Sequence, residues 1–366
     1  MSQVAWVWVA VAVVAVAVVA AVVVASRRGQ GLPTRPGRRP RPHRNEFRPE
    51  GVSEPPAPPK RAAVVVNPTK FTDLEAVRMR VTAVMQAEGL AEPLWLETTV
   101  EDPGTGQARA ALAQDAVLVC ALGGDGTVRA VAQGLVGSEV PMGLLPGGTG
   151  NLLARNLDLP VDSIERALAV ALTGQNQRID VGRLSVRRPG GGEPEEHAFL
   201  VMAGLGLDAK VMADTPEALK ARVGGAAYYV TGARNLVGRT FKAKLRLDGM
   251  ATAMTRRART VVIGNVGRLL GGLALMPDAK VDDGRLDIVV ISPRGPIGWT
   301  AVATHLATRS RRGHPLVDHH SAAEVEVELD GGPQEVQVDG DTIGPARSVT
   351  ARVDHLALVV RVPYKA

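Results

Sequence analysis

Three short clusters of glycine, hydroxyl and polar residues follow apolar runs of the sequence. They are Asn67, Pro68 and Thr69, then Gly123, Gly124, Asp125, Gly126 and Thr127, and finally Gly147, Gly148, Thr149, Gly150 and Asn151. Glycine lets the backbone turn tightly and approach a ligand closely, and the free N–H groups of a following helix attract an anion. A strand, a glycine-rich turn and a helix therefore predict a phosphate site, and the three turns could line one nucleotide cleft.

Asp125 is the unusual member of these turns. A carboxylate repels phosphate unless a metal ion or a hydroxyl lies between them. Its position inside the turn therefore favours kinase chemistry over simple anion capture. The alternative is that the turns at 123–127 and 147–151 are structural and carry no chemistry. The sequence contains no G-x-x-x-x-G-K-[ST] loop, which excludes ordinary P-loop chemistry.

A dense run of charges lies at residues 277–287. Its charged members are Asp278, Lys280, Asp282, Asp283, Arg285 and Asp287. Carboxylates this close repel one another unless a cation offsets them, and Mg²⁺ is bound by one or two carboxylates together with waters and phosphate oxygens. The run therefore suggests a metal site, with a solvated turn as the alternative. Another acidic turn, Asp339 to Asp341, follows a predicted strand.

The apolar patterns predict the elements that carry these turns. Strands are predicted at 62–66, 94–96, 116–120 and 142–145, with helices at 71–88, 106–114 and 127–136. This alternation predicts a parallel α/β sheet that binds ligands at the carboxyl ends of its strands. From about residue 179 few helices separate the strands, which predicts a mostly antiparallel region. Its strands are expected at 179–186, 197–202, 242–247, 259–264, 286–291, 323–329 and 335–338, and its helices at 216–237 and 296–308.

The composition restricts the class of protein. The chain has 366 residues and a formal net charge of +6, but ten basic residues against three acidic ones lie between positions 26 and 61. The remainder, 62–366, has 33 basic and 34 acidic residues. A nucleic-acid-binding domain carries its positive charge on a folded face, so no nucleic-acid partner is expected. The single cysteine, Cys120, excludes an internal disulfide and is typical of a reducing compartment.

Residues 4–25 are an uncharged run of Val, Ala and Trp. As a helix with about 1.5 Å of rise per residue, this run would span roughly 33 Å, enough for a bilayer core. We therefore expect a transmembrane anchor, with a cleaved signal peptide as the alternative. The arginines that follow predict that the C-terminal bulk is cytoplasmic, so the expected localisation is a single-pass protein of the cell membrane. Residues 26–60, rich in Pro and Arg, are expected to form a disordered linker.

Eight motifs taken together are more specific than any one of them. They lie at residues 66–68, 123–127, 146–151, 179–182, 264–265, 271–273, 277–287 and 338–341. In this order the chain resembles the diacylglycerol kinase catalytic-domain family, in its bacterial lipid kinase form. The resemblance covers about residues 61–366, nearly the whole of the part that is expected to fold.

The resemblance implies an α/β N-terminal nucleotide-binding domain plus a β-rich, antiparallel sandwich-like C-terminal domain, with the active site in the cleft between them. The implied ATP-binding domain is 61–178, completed by 350–366, and the β-rich lipid-kinase domain is 179–349. ATP and Mg²⁺ are the implied cofactors.

The resemblance also implies roles for single residues. In the family, the Asp of the Gly-Gly-Asp-Gly-Thr turn lies at the nucleotide site, and here it is Asp125. A structural Mg²⁺ involves the region of Lys280, Asp283 and Arg285, the first and last through backbone carbonyls. The family's proton acceptor is usually the Glu of an Asp-Gly-Glu turn, and here that position is Asp341, which is one methylene shorter. Asp125 and Asp341 are therefore the expected catalytic residues.

The implied function is ATP-dependent phosphorylation of a lipid hydroxyl by in-line transfer, with diacylglycerol as the leading acceptor and a membrane lipid as the partner. A sphingoid base or an undecaprenol-like alcohol stays open as the acceptor, and a homodimer stays open as the oligomeric state. One rival is a NAD kinase-like enzyme that acts on a soluble nucleotide, because NAD kinases share the Gly-Gly-Asp-Gly turn. Another is a catalytically impaired, membrane-tethered lipid-binding module, which Asp341 in place of Glu would favour.

Overall fold

The structure is a computed structural model, and it describes residues 60–206, 240–269, 274–293, 295–307 and 314–364. From Lys60 onward the chain forms one compact unit. The helix predicted at 216–237 and the motif at 271–273 lie outside the described residues.

The first part of the folded chain contains four parallel strands. They are β1 (Ala62–Val66), β2 (Leu94–Glu97), β3 (Leu118–Gly123) and β4 (Met142–Pro146). Their order in the sheet is β2-β1-β3-β4, and every neighbouring pair is parallel. All residues of β1 and β3 are buried, which explains why both strands are continuous apolar runs rather than alternating ones.

Five α-helices form in this part of the chain, and two of them begin with a side-chain cap. The five helices are α1 (Leu74–Ala87), α2 (Thr105–Leu112), α3 (Asp125–Leu135), α4 (Leu152–Asn156) and α5 (Ile164–Thr173). In α1 the side chain of Asp73 caps the first turn, and the residues at a spacing of four, Val77, Val81 and Met85, are buried. The N-cap of α3 is Gly124, which has no side chain to cap the helix.

The second part is built from twelve strands and one helix. They are β5 (Gln175–Arg187), β6 (Glu195–Phe199), β7 (Met202–Gly206), β8 (Phe241–Leu247), β9 (Met254–Ala258), β10 (Thr260–Gly264), β11 (Leu286–Ile291), α6 (Gly295–Ala307), β12 (Val317–Ala322), β13 (Glu324–Asp330), β14 (Gln334–Val338), β15 (Asp341–Ala346) and β16 (Ser348–Val362).

These strands form two sheets that face each other. One has the order β12-β11-β10-β7-β14-β15 and is antiparallel. The other continues the α/β sheet through β16 into β13, β8 and β9, with β5 and β6 attached to β16. Apolar side chains of both sheets, such as Leu245, Ile263 and Val327, share one buried cluster. The predicted fold class, an α/β part with a parallel sheet followed by an antiparallel sandwich, is confirmed.

The long strand β16 connects the two parts. It is antiparallel to β5 and β13, and near its end Val360 pairs in parallel with Met142 of β4. A bulge between Asp354 and Leu358 separates the residues that pair with β13 from the one that pairs with β4, whereas the pairing with β5 continues on both sides of the bulge. The last strand of the chain therefore extends the sheet that carries the glycine-rich turns.

One predicted strand is divided in the structure. The pattern at 197–202 predicts a single strand, whereas β6 ends at Phe199 and β7 begins at Met202. The backbone N–H groups of Leu200, Val201 and Met202 all point to the carboxylate of Asp339. The chain turns around this carboxylate and leaves one sheet for the other.

The predicted localisation as a single-pass membrane protein is wrong. Across the described ranges, no helix is long and apolar enough to cross a bilayer. Segment 4–25, on which that prediction was based, lies outside the described residues, and so does the predicted linker apart from Lys60.

Candidate active site

The three turns, two of which are rich in glycine, meet at one edge of the parallel sheet. The N–H of Asn67 donates to the carbonyl of Leu122 over 3.1 Å, and the N–H of Gly147 donates to the carbonyl of Gly123 over 2.9 Å. These contacts follow from the strand order, because β1, β3 and β4 are adjacent and parallel and their carboxyl ends share an edge. The sequence-based prediction that the turns lie together agrees with this arrangement.

Two pairs of glycines bring the second and third turns into backbone contact. A Cβ on Gly148 would lie 2.7 Å from Cα of Gly124, and a Cβ on Gly147 would lie 2.9 Å from Cα of Gly123. Neither distance can be reached by real side chains without moving the backbone. Glycine is therefore required at these positions by close approach of the two turns, and the two loops form one continuous surface.

Polar side chains hold the shape of the turns. Oδ1 of Asn67 accepts hydrogen bonds from the N–H and the hydroxyl of Thr69. Asn151 has left-handed backbone angles with a φ of 47°, and its Nδ2 donates to the carbonyl of Gly148 over 2.8 Å. Nε of Arg155 donates to the carbonyl of Gly150 over 2.8 Å. Asn67 and Asn151 therefore shape the turns, which is a structural role within the predicted nucleotide site.

The two threonines of the turns differ in exposure. Thr127 is 4% exposed, and a Cβ on Gly123 would lie 2.6 Å from its Oγ1. Thr149 is exposed on its turn. Thr149 is therefore the hydroxyl that a ligand can reach directly, and Thr127 packs behind the turn.

Asp125 is the first residue of α3 and lies against the third turn. Its Oδ1 accepts a hydrogen bond of 2.6 Å from the N–H of Leu152, and a Cβ on Gly150 would lie 2.3 Å from its Oδ2. Burial raises the pKa of Asp125 to about 6, with smaller contributions from the negative charges of Asp339 and Asp341, and the backbone hydrogen bonds oppose the rise. The ionised form of Asp125 is therefore disfavoured, mainly by burial and in part by the two neighbouring carboxylates.

Asp341 comes from the sandwich and lies over the first turn of α3. A Cβ on Gly126 would be 3.1 Å from its Oδ2, and the same oxygen accepts a hydrogen bond of 2.7 Å from Nη2 of Arg129. The side chain of Asp341 is 56% exposed. An exposed carboxylate beside the glycine-rich turns is available to a substrate that binds there.

Asp339 is a buried carboxylate that ties the β14–β15 turn to the start of β7. Its Oδ2 accepts from the N–H of Leu200, and its Oδ1 accepts from the N–H groups of Val201 and Met202, each over 2.9 Å. Burial raises the pKa of Asp339, while these hydrogen bonds and the charge of Arg129 oppose the rise. The three bonds fix the backbone that carries Asp341 two residues later.

The predicted metal loop lies next to Asp180, a residue of β5. The N–H of Gly284 donates to Oδ2 of this fully buried residue over 2.7 Å, and the N–H of Leu356 donates to its Oδ1 over 2.7 Å. Nδ1 of His355 also lies 2.8 Å from that Oδ1. Asp180 thus links the loop to the bulge of β16.

Within the loop, the side chains of Asp283 and Arg285 form hydrogen bonds with protein groups. Oδ1 of Asp283 accepts from the N–H of Arg285, and Arg285 donates to the hydroxyl and carbonyl of Ser321. Burial raises the pKa of Asp287 to about 6, followed by the negative charges of Asp283 and Asp278. The positive charge of Arg285 opposes this rise.

A metal cage built from side chains would need several His, Cys, Asp or Glu residues close together. Among them, no group of three or more His, Cys, Asp and Glu side chains is close enough to hold a metal ion. Mg²⁺ is usually bound by one or two carboxylates together with waters and phosphate oxygens. Ligation by the carbonyls of Lys280 and Arg285 with the carboxylate of Asp283 stays a prediction.

Several residues that shape this region were absent from the predicted site. Arg129 and Asp339 contact it from α3 and the β14–β15 turn, and Asp180 anchors the metal loop. For Arg129 a signal existed in the sequence, because it lies four residues after Asp125 and therefore on the same face of the helix. Asp180 and Asp339 belong to motifs of the resemblance, but nothing in the sequence shows that their carboxylates are buried.

The fold and this site define a class of protein. A parallel sheet brings the glycine-rich turns together at one edge, and an antiparallel sandwich adds a carboxylate beside them. This is the architecture of a kinase that transfers phosphate to an alcohol group. Residues 61–184 match the diacylglycerol kinase catalytic domain, and residues 201–361 match the YegS C-terminal NAD kinase beta sandwich-like domain. The chain belongs to the diacylglycerol kinase family.

Individual relatives agree with this assignment. A protein named "Diacylglycerol kinase" from Staphylococcus saprophyticus is 29% identical over 291 residues, which cover 77% of this chain and 89% of the relative. A protein named "Probable lipid kinase YegS-like" from Pseudomonas aeruginosa is 34% identical over 276 residues, covering 71% and 84%. The crystal structure of a diacylglycerol kinase from Bacillus anthracis shares the fold with a TM-score of 0.62 at 20% identity, covering 84% of this chain and 98% of that one.

Proposed function

We propose that this protein transfers the γ-phosphoryl group of ATP to the hydroxyl of a membrane lipid, with diacylglycerol as the leading acceptor. The observation that carries the proposal is the position of Asp341, an exposed carboxylate over the first turn of α3 beside Asp125. The family provides the reaction class, and the names of the relatives provide the acceptor.

ATP binds, in this proposal, along the edge where the three turns meet. The first-turn N–H groups of α3, a helix with a glycine N-cap, favour phosphate. The contact between Gly124 and Gly148 leaves no side chain between the two loops, so phosphate oxygens can approach the backbone. The exposed hydroxyl of Thr149 is a further donor.

A cation is needed for the charges to balance. The negative charges of Asp339 and Asp341 both act on Asp125, and Nη2 of Arg129 contacts Asp341 over 2.7 Å. ATP would bring more negative charge beside these carboxylates. Mg²⁺ would neutralise the phosphate oxygens when bound, with Asp125 nearest to them, and Asp283 would hold a second, structural ion with the carbonyls of Lys280 and Arg285.

Asp341 is the proposed proton acceptor. Its carboxylate lies at the start of β15 in the sandwich, accepts a hydrogen bond from Arg129 and is accessible. A general base must lie within hydrogen-bond reach of the proton that it removes. Positioning of the hydroxyl and of the phosphate supplies most of the rate in such a reaction.

The experiment is a phosphoryl-transfer assay with γ-labelled ATP and Mg²⁺ on vesicles that contain a total lipid extract, followed by mass spectrometry of the labelled product. NAD serves as a parallel acceptor. Labelled phosphatidic acid is the expected product. Label in NAD alone would instead support a soluble nucleotide kinase. Vesicle binding without any transfer would support a lipid-binding module, and either result would overturn the proposal.

A further inference from the structure

Arg129 makes two hydrogen bonds from α3 to the turn between β14 and β15. Nη1 donates to the carbonyl of Val338 over 2.5 Å, and Nη2 donates to Oδ2 of Asp341 over 2.7 Å. The two partners lie on either side of Asp339 and Gly340, so the guanidinium spans the whole acidic turn. The planar fork of arginine suits such a pair of acceptors, whereas an ammonium group acts as a single point charge.

The surroundings of Asp341 explain why its carboxylate needs such a partner. The negative charges of Asp339 and Asp341 both act on Asp125, so the carboxylates of Asp125 and Asp341 repel each other. The side chain of Asp341 is 56% exposed, whereas that of Arg129 is 21% exposed. An exposed, short carboxylate that is repelled by its neighbours would turn toward solvent unless the better-buried guanidinium held it over the helix.

We propose that Arg129 is a positioning residue, which holds the carboxylate of Asp341 over the first turn of α3 so that it can accept the proton of the substrate hydroxyl. The inference rests on the proposed function, since it assigns Arg129 a role that acts through Asp341. It also explains how an aspartate can serve where the family usually has a glutamate. The fixed guanidinium aims the shorter side chain at the turns, instead of leaving it free in solvent.

The test compares four variants in the full-length protein, with kcat and the KM for ATP measured separately on diacylglycerol vesicles. They are Arg129→Gln, Arg129→Lys, Asp341→Asn and the control Arg78→Gln. Arg78 is a comparable arginine, because it makes a short ion pair with Glu97 over 2.5 Å, besides a longer one with Glu75 over 3.4 Å, and its side chain is 26% exposed against 51% for Glu97. Thermal unfolding of each variant reports whether the fold is affected.

Arg129→Gln is expected to lower kcat by about tenfold or more and to change the KM for ATP less than threefold. Arg129→Lys is expected to recover part of kcat, because it restores the charge but not the fork. Arg78→Gln is expected to keep kcat within about twofold of the wild type, even if both glutamine variants unfold at a similar temperature. A structural role alone would lower activity in proportion to stability in both variants.

Two outcomes would overturn the inference, and they differ from failure of the proposed function. If Arg129→Gln keeps the wild-type kcat while Asp341→Asn is inactive, Asp341 is needed but Arg129 does not position it. If Arg129→Gln raises the KM for ATP and leaves kcat unchanged, Arg129 serves nucleotide binding instead. Activity in Asp341→Asn would contradict the proposed function itself, whatever the result for Arg129.

Discussion

The backbone N–H of Leu152 donates a 2.6 Å hydrogen bond to Oδ1 of Asp125. This bond joins the start of α4 to the start of α3, and so it locks the second and third glycine-rich turns together. The carboxylate that does this is also the one whose pKa is raised to about 6, mainly by burial. Asp125 therefore fixes the shape of the site through this hydrogen bond and also contributes a carboxylate to it.

Asp125→Asn is predicted to lose activity and gain stability at neutral pH. The amide oxygen of Asn can still accept from Leu152, whereas the negative charge is lost, so a drop in kcat of about 100-fold or more is expected for a group at the reacting phosphates. The pKa of Asp125 is about 6 in the folded protein, against an ordinary value of 3.8. Because the folded protein holds this proton more tightly than the unfolded chain does, Asp125 contributes stability below about pH 4, and this stability is lost as the pH rises through 6.

Thermal unfolding of the ligand-free protein between pH 4 and 8 measures this effect. The variant is expected to unfold at a higher temperature than the wild type at pH 8, with the gap closing toward pH 4. Asp73→Asn is the control, because Asp73 caps α1 and Asn caps a helix about equally well. A gap for Asp125→Asn that does not change with pH would contradict the cause given for the raised pKa.

Gly148→Ala is predicted to separate the two turns. Its Cβ would lie 2.7 Å from Cα of Gly124, so the backbone must move, at a cost of about 1–3 kcal/mol. The KM for ATP is expected to rise at least as clearly as kcat falls, because the turns bind the phosphates. Chemical denaturation and steady-state kinetics measure the two effects.

Gly190→Ala is the matched control, because nothing lies within 4 Å of a Cβ at that position. It is expected to be neutral in stability and in kinetics. Equal behaviour of the two alanine variants would show that the contact between the turns is unimportant.

Asp339→Asn is predicted to destabilise the protein although it removes a buried charge. Three N–H groups point to this carboxylate, and the amide NH₂ of Asn would face at least one of them. The expected cost is about 1–3 kcal/mol for a buried donor left without an acceptor, measured by denaturant unfolding. Asp330→Asn, at an exposed ion pair of 3.9 Å, is the control and should change stability by less than about 0.5 kcal/mol.

Asp283→Asn is predicted to weaken a structural Mg²⁺ site. The pKa of Asp287 in this loop is raised by burial and then by its acidic neighbours, and removing the Asp283 carboxylate, a proposed ligand, should reduce metal affinity about 10–100-fold. The measurement is the Mg²⁺ concentration that half-maximally stabilises the protein against heat, without substrates. The exposed variant Asp162→Asn should leave that concentration unchanged, and an unchanged value for Asp283→Asn would argue against the site.

The sequence predicted the positions of most strands, because buried parallel strands are continuous apolar runs and the sandwich strands alternate. It also predicted that the three turns lie together, since that follows from parallel strand order. It missed β12, where Asp318, His319 and His320 interrupt the apolar pattern, and β9, where Arg256 and Arg257 do so.

The contact between Arg129 and Asp341 could not be predicted from the sequence. The two residues are separated by 212 positions, and the contact depends on how the sandwich sits against α3. The division of the predicted strand at 197–202 was missed for a similar reason, because it depends on the buried carboxylate of Asp339. Local patterns specify elements and turns, whereas side chains that reach between the two parts follow from tertiary packing.

The central claim, that Asp341 accepts the proton of a lipid hydroxyl, is tested most directly by single-turnover phosphoryl transfer from ATP to diacylglycerol vesicles with Asp341→Asn. This variant is expected to bind ATP and to unfold like the wild type, while the rate of transfer falls by at least about 100-fold. Asp341→Glu is predicted to retain transfer, because it keeps the carboxylate. A wild-type rate of transfer in Asp341→Asn would contradict the account.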